Sequence, residues 1–307
     1  MDSDAVLLGA VGGPRWDMIE AERRPEQAIL GLRQGMHLYA NLRPAVLQKE
    51  LGNVSPLKNP GDIDMLIVRE LTGGIYFGKQ GAYKSSEKLF DGTRKGTVAF
   101  DTETYSEAEI SRIFRRGFEY SMKRRKKLTV VDKANVLSTS RLWRTLSKEI
   151  AKEYPEVEMD FLYVDNCSMQ LVSRPSTFDV IVTSNMFGDI LSDLAGQITG
   201  SVGLLPSASL GNPGMPGLFE HIHGSAPDIA GQKKANPIAS ILSVQLMLKL
   251  HLGEKDAAES ISQAVRKTLA DGARTPDIAL HGDEEDKSKI ILVNTDEMTD
   301  RIIANLE

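Results

Sequence analysis

The chain has a single cysteine, Cys167, in 307 residues, and no apolar run approaching the ~18 residues that a membrane span requires. One cysteine excludes an intramolecular disulfide and a thiolate metal cluster, and favours a reducing compartment. Positive charge is not in excess either: 42 acids face 37 lysines and arginines, a formal net charge of −5, which argues against non-specific nucleic-acid binding. There is no Gly-x-Gly-x-x-Gly fingerprint, P-loop, internal repeat or low-complexity tract. The opening Met1-Asp-Ser-Asp4 lacks the basic front of a signal peptide. What remains is an ordinary globular composition on a chain long enough for two domains.

Short β-rich runs recur between helical stretches: Met65–Val68, Leu128–Val131, Phe161–Val164, Val180–Thr183 and Leu204–Leu210. This alternation predicts an α/β protein with a largely parallel sheet. Ala5–Gly13 reads as a fully buried parallel strand entering a tight turn. Helical periodicity covers Ser106–Lys123, Ser138–Tyr154, Pro237–Leu252 and Asp256–Asp271, with Ser106/Glu109 and Asp256/Glu259 as start signals. The polar, glycine-rich segment Leu71–Asp101 is a long loop or a protruding β-arm with a functional or interfacial role. The basic run Lys123–Lys127, isolated in an acidic protein and without interleaved aromatics, reads as a solvated helix C-terminus.

Three strands end in polar residues, which places Lys133, Asn135, Asp165 and Asp189 where an α/β sheet binds ligands. Asp189 and Asp193 lie four apart, on one helix face. Two like charges there favour Mg²⁺ or Mn²⁺ between them, and a solvated helix start is the alternative. Arg33, Arg43 and Arg69 suit carboxylates, because guanidinium groups bind them bidentately, although each taken alone also fits a surface ion pair. Tyr76 and Lys133 are then candidate proton carriers. In His223-Gly-Ser-Ala-Pro-Asp228, Gly224 and Ser225 offer donors to a phosphate and Asp228 an acceptor for a ribose diol.

Six motifs stand in order along the chain: Arg24-Pro-Glu26, Asn41-Leu-Arg-Pro44, Arg69–Gly78, Asp132-Lys-Ala-Asn135, Asn185–Asp193 and His223–Gly231. Together they resemble the isopropylmalate/isocitrate β-decarboxylating dehydrogenase family over essentially the whole chain. The resemblance implies that family's fold, which is not a Rossmann fold. It consists of two α/β domains, residues 1–38 with 201–307 on the cofactor side and 39–200 carrying substrate, metal and dimer contacts, with a dimerisation arm at about 71–101.

The implied activity is NAD-dependent oxidative decarboxylation of 3-isopropylmalate to 2-oxoisocaproate, in leucine biosynthesis in the cytoplasm. Arg33, Arg43 and Arg69 would hold substrate carboxylates, with Asp165 also at the substrate. Asp165, Asp189 and Asp193 would hold Mg²⁺ or Mn²⁺, and Tyr76 and Lys133 would carry protons. Glu26, His223, Gly224, Ser225, Ala226, Pro227, Asp228 and Asn236 would bind NAD, Asp228 repelling the 2′-phosphate of NADP. Ile29 and Leu30, one to two turns before Arg33, form an apolar wall that suits an isopropyl group better than a third carboxylate.

A homodimer with shared active sites is implied, one subunit's Lys133, Asp165 and Tyr76 completing the partner's site, with small-molecule substrate and neither nucleic acid nor membrane as partner. Leu194, His221 and Gln232-Lys-Lys234 depart from the usual pattern, and the family's opening strand-loop-helix unit is not seen before Ala5. An organellar address on that unit stays open, as do a sister dehydrogenase acting on tartrate, malate or homoisocitrate and an impaired fragment or regulatory subunit.

Overall fold

Four of the β-rich runs form inner strands of one mixed sheet, their alternate side chains buried on both faces, while the run at Phe161 forms a half-buried strand at its end. Residues 3–16, 18–20, 23–85, 96–279 and 289–306 are described in this computed structural model. Besides a short parallel pair, Ala273–Arg274 with Ile291–Leu292, the strands are β1 (Ala5–Leu8), β2 (Ala40–Val46), β3 (Asp64–Glu70), β4 (Gln80–Ser85), β5 (Gly96–Asp101), β6 (Lys127–Asp132), β7 (Glu158–Tyr163), β8 (Val180–Thr183), β9 (Pro206–Leu210) and β10 (Gly217–His221). Eight of them make the sheet β1-β10-β9-β2-β3-β8-β6-β7. Its β1/β10, β3/β8, β8/β6 and β6/β7 ladders are parallel and the other three antiparallel.

Side-chain alternation divides the core. Leu66, Val68, Val130 and Val182 face one cluster with Phe114, Phe118 and Trp143, from α2 (Glu107–Met122) and α3 (Ser138–Ala151). Met65, Ile67, Val131 and Ile181 face the other, with Cys167 and Leu171 of α4 (Val164–Ser173) and Leu191 of α5 (Asn185–Ile198). Helix α1 (Glu26–Gly35) lies before β2, and α6 (Ile238–Met247), α7 (Lys255–Ala270), α8 (Pro276–Ala279) and α9 (Thr295–Ala304) follow β10. No helix among the described residues is long and apolar enough to cross a membrane.

Two local expectations change, and a third resolves to one of its alternatives. β1 is not fully buried: it pairs with β10 alone among the described strands, and Leu7 is 52% exposed, as an edge strand requires. The capping box at Ser106/Glu109 forms, whereas α7 begins after Glu254 with Asp256 inside its first turn and no side-chain cap. The Leu71–Asp101 segment contains an exposed antiparallel hairpin, β4 with β5, whose connection at 86–95 lies outside the described residues.

Candidate functional site

At the carboxyl ends of β3 and β8, Arg69 turns toward the first two turns of α5. Its Nε and Nη2 donate to Asn185 Oδ1 at 3.0 and 2.8 Å, and its Nη1 meets Asp189 Oδ1. Gly188 makes this approach possible, since a Cβ there would stand 2.7 Å from the Arg69 side chain. Arg43 arrives from β2, donating from Nη1 to Ser192 Oγ at 2.6 Å and Asp189 Oδ1 at 3.2 Å. Its direction is fixed from behind: Nε donates to Asn41 Oδ1 at 2.8 Å, and Asn41 Nδ2 donates to Ser207 and Ser209 of β9.

Burying two guanidinium groups side by side disfavours their charge. Burial, then the neighbouring Arg43, draws Arg69 down to about 10, and burial draws Arg43 down as well. Asp189 feels burial in the opposite sense, yet Arg69 and Arg43 outweigh it and hold its carboxyl below the usual range. Asp193 is raised by burial and by Asp189, its Oδ1 being 3.7 Å from Arg43. Tyr76 does not stand with Lys133 and Asp165 as the resemblance implied: it donates to Asp189 Oδ2 of its own chain at 3.3 Å, with its ring 5.9 Å from the Arg69 guanidinium carbon. Burial and Asp189 push its phenol up, so it keeps its proton at neutral pH.

A cleft of about 130 Å³ adjoins this cluster, lined by Gly9–Val11, Ile29, Arg33, Arg43, Ser207 and Glu220–Gly224. Arg33 pairs with Glu220 Oε1 at 2.9 Å, and its buried Nε has no partner. Of the proposed apolar wall, Ile29 lines the cleft and Leu30 does not.

The expected cofactor residues gather around the turn after β1. Ser225 Oγ donates to Gly12 O at 2.9 Å, and Glu26 closes on the same turn, where a Cβ at Gly12 would stand 2.2 Å from its carboxylate oxygen. His223 stacks on His221 with ring centroids 3.7 Å apart, and Gly224 lies beside it. Ala226 adopts φ +43°, with Pro227 and Asp228 on the short exposed turn that follows. Asn236 has a different surrounding: its amide joins Ile238 N and Asp277 at the start of α6.

Lys133 and Asp165 form a separate pair at the ends of β6 and β7, 2.5 Å apart and partly exposed. The hydrogen bond from Lys133 holds the Asp165 carboxyl down. No group of three or more His, Cys, Asp or Glu able to hold a metal converges among the described residues. Asp189 and Asp193 present hard oxygen ligands one turn apart, with side chains 37% and 65% exposed. Two such carboxylates fit the share of Mg²⁺ or Mn²⁺ coordination that a protein supplies when water and substrate oxygens fill the rest.

Sequence reasoning missed Glu220, Asn185 and Asn41. Glu220 and Asn41 are polar residues next to apolar ones in buried strands, a readable sign of a partnered interior. The partner of Glu220 is 187 residues away and that of Asn185 is 116 away, separations that no local pattern encodes.

The sequence model of the isocitrate/isopropylmalate dehydrogenase family matches residues 1–302. The 3-isopropylmalate dehydrogenase of Clostridium acetobutylicum is 54% identical over 309 residues, covering 99% of this chain and 82% of its own length. That of Aquifex aeolicus is 51% identical, covering 100% of this chain and 80% of its own. Among solved structures, isocitrate dehydrogenase from Methylococcus capsulatus aligns with a TM-score of 0.82 at 38% identity, covering 97% of this chain and 80% of its own.

Proposed function

The chain belongs to the isocitrate/isopropylmalate dehydrogenase family, and from that premise we propose that it oxidises 3-isopropylmalate with NAD, releasing CO₂ and 2-oxoisocaproate in leucine biosynthesis. The observation that carries the choice of substrate is the cleft that Ile29 lines together with Arg33 and Arg43. An isopropyl group can rest on Ile29 while the guanidinium groups meet carboxylates; a third carboxylate placed against Ile29 would lose its hydration without a partner.

Arg33, Arg43 and Arg69 bind the diacid and fix the hydroxyl-bearing carbon. Asp189 and Asp193, with Asp165 of the partner subunit, would hold Mg²⁺ or Mn²⁺. When bound, the ion lowers the hydroxyl pKa and stabilises the enolate left by decarboxylation, and NAD supplies the hydride acceptor. Lys133 of the partner subunit takes part in removing the hydroxyl proton. Tyr76, whose phenol keeps its proton, supplies one to the enolate carbon. Glu26 and residues 223–228 hold NAD, Asp228 disfavouring a 2′-phosphate. Asn236 we place at the edge of the cofactor site, supporting α6. On this reading the cofactor-side domain comprises residues 1–38 and 201–307 and the substrate domain 39–200.

A homodimer with shared sites is part of this reading: Lys133 and Asp165 pair with each other, whereas Asp189 is met by Arg43, Arg69 and Tyr76. Apolar side chains that a lone subunit leaves in water support it: Met169 and Val172 on α4 and Ile190 on α5 are 62%, 47% and 58% exposed. A cytoplasmic setting accords with the single cysteine, which is buried.

The test is NADH formation with Mn²⁺ and, in turn, 3-isopropylmalate, isocitrate, malate, tartrate and homoisocitrate, together with rescue of a leucine auxotroph. Highest kcat/KM with 3-isopropylmalate is expected; preference for a substrate without an alkyl group would sink the reading.

A further inference from the structure

Asn185 is fully buried at the first position of α5, and its side chain makes no bond to its own helix. Its Oδ1 accepts both Nε and Nη2 of Arg69, at 3.0 and 2.8 Å. Its Nδ2 donates to Leu71 O at 3.2 Å and Gly73 O at 3.0 Å, and its backbone N donates to the Tyr105 hydroxyl at 2.9 Å. All four hydrogen-bonding positions of the amide are therefore occupied, and its polarity is fixed, since a reversed amide would set N–H groups against the guanidinium and oxygen against two carbonyls. Three residues beyond Gly73, Tyr76 reaches Asp189, which also receives the one Arg69 nitrogen that Asn185 leaves free.

We infer that Asn185 is a positioning residue that ties the substrate-binding Arg69 to the loop bearing Tyr76, so that the anion-binding group and the proton donor are held in one fixed relation across Asp189. Cap stabilisation would need a bond to the backbone of α5, which the side chain does not make. Arg69 touches the loop only through the face of the Tyr76 ring, 5.9 Å away, and donates no hydrogen bond to residues 71–76, so the directional bonds to the loop are those of Asn185. The tie itself rests on geometry; only its catalytic consequence rests on the proposed reaction.

The informative variant is Asn185→Asp in the full chain. A carboxylate still accepts from Arg69, but it turns an oxygen toward the carbonyls of Leu71 and Gly73 and releases them. Hydrogen exchange should accelerate about tenfold or more in the amides of residues 71–77 and stay unchanged in β8. In turnover, Tyr76→Phe should slow the parent enzyme about 10²- to 10⁴-fold and Asn185→Asp enzyme less than about threefold, because the phenol is already displaced.

Unchanged exchange at 71–77 overturns the inference whatever the substrate, and so does an equal effect of Tyr76→Phe in both backgrounds. Should Asn185→Asp not fold, Asn185→Ser, which adds no charge, carries the same two measurements. A parent enzyme that oxidises none of the candidate substrates would count against the proposed function, and exchange would then decide the tie alone.

Discussion

At the site, charge and hydrogen bonding divide labour between Arg69 and Tyr76. Arg69 uses the planar fork of its guanidinium, two nitrogens on Asn185 and the third at Asp189. A lysine keeps a positive charge but cannot reproduce that fork. Arg69→Lys should therefore raise KM for substrate about 10- to 100-fold with a smaller change in kcat. Tyr76→Phe should do the reverse, lowering kcat about 10²- to 10⁴-fold with KM nearly constant, as initial rates over a substrate series will reveal.

Cys167 offers a pH test without substrate. Burial, and then Asp160, pushes its thiol from 9.0 up to about 12. Because the folded value exceeds the unfolded one, its contribution to stability is complete below pH 9.0 and is lost as pH rises toward 12. Iodoacetamide at pH 8 should leave the folded protein unmodified and label it stoichiometrically in urea, as mass spectrometry can check; native labelling would contradict the burial.

At the level of elements, signals carried by neighbouring residues were legible and those that depend on distant packing were not. Ser106 caps α2 as its spacing with Glu109 foretells, both hydrogen bonds of the box being present. The same spacing at Asp256 and Glu259 forms no cap, because Lys255 is already helical and the acid falls within the first turn. Likewise Phe161–Val164 marked a strand end, but the chain enters α4 at Val164 with no loop between, so Asp165, just past the strand, stands in the first turn of a helix.

The basic run after α2 holds the sheet rather than a polyanion. Arg124 reaches Asp179 and Asp64, both at 2.7 Å, and Lys126 pairs with Glu156. Replacing the true cap, Ser106→Ala, should lower unfolding free energy by about 1 kcal/mol in urea titrations, whereas Asp256→Ala should change it by no more than about 0.5 kcal/mol.

The whole molecule poses a different problem, since one sheet runs through both halves yet the candidate catalytic groups end in two places along it. Arg69, Tyr76, Asp189 and Asp193 gather beyond β3 and β8, while Lys133 and Asp165 pair beyond β6 and β7. If one subunit completes the other's site, damage on opposite sides of the boundary can be separated. Lys133→Met and Asp189→Asn homodimers should each be inactive. A hybrid of the two, formed by denaturing and refolding a mixture, contains one site with both defects and one with neither, so activity should return. Sites contained within a single chain would give a hybrid as inactive as its parents. Met169→Glu with Ile190→Glu supplies the complementary measurement: putting charge on the exposed faces of α4 and α5 should shift the mass seen by light scattering from dimer to monomer. Activity should disappear with it, although Arg69, Tyr76 and Asp189 remain intact in every chain.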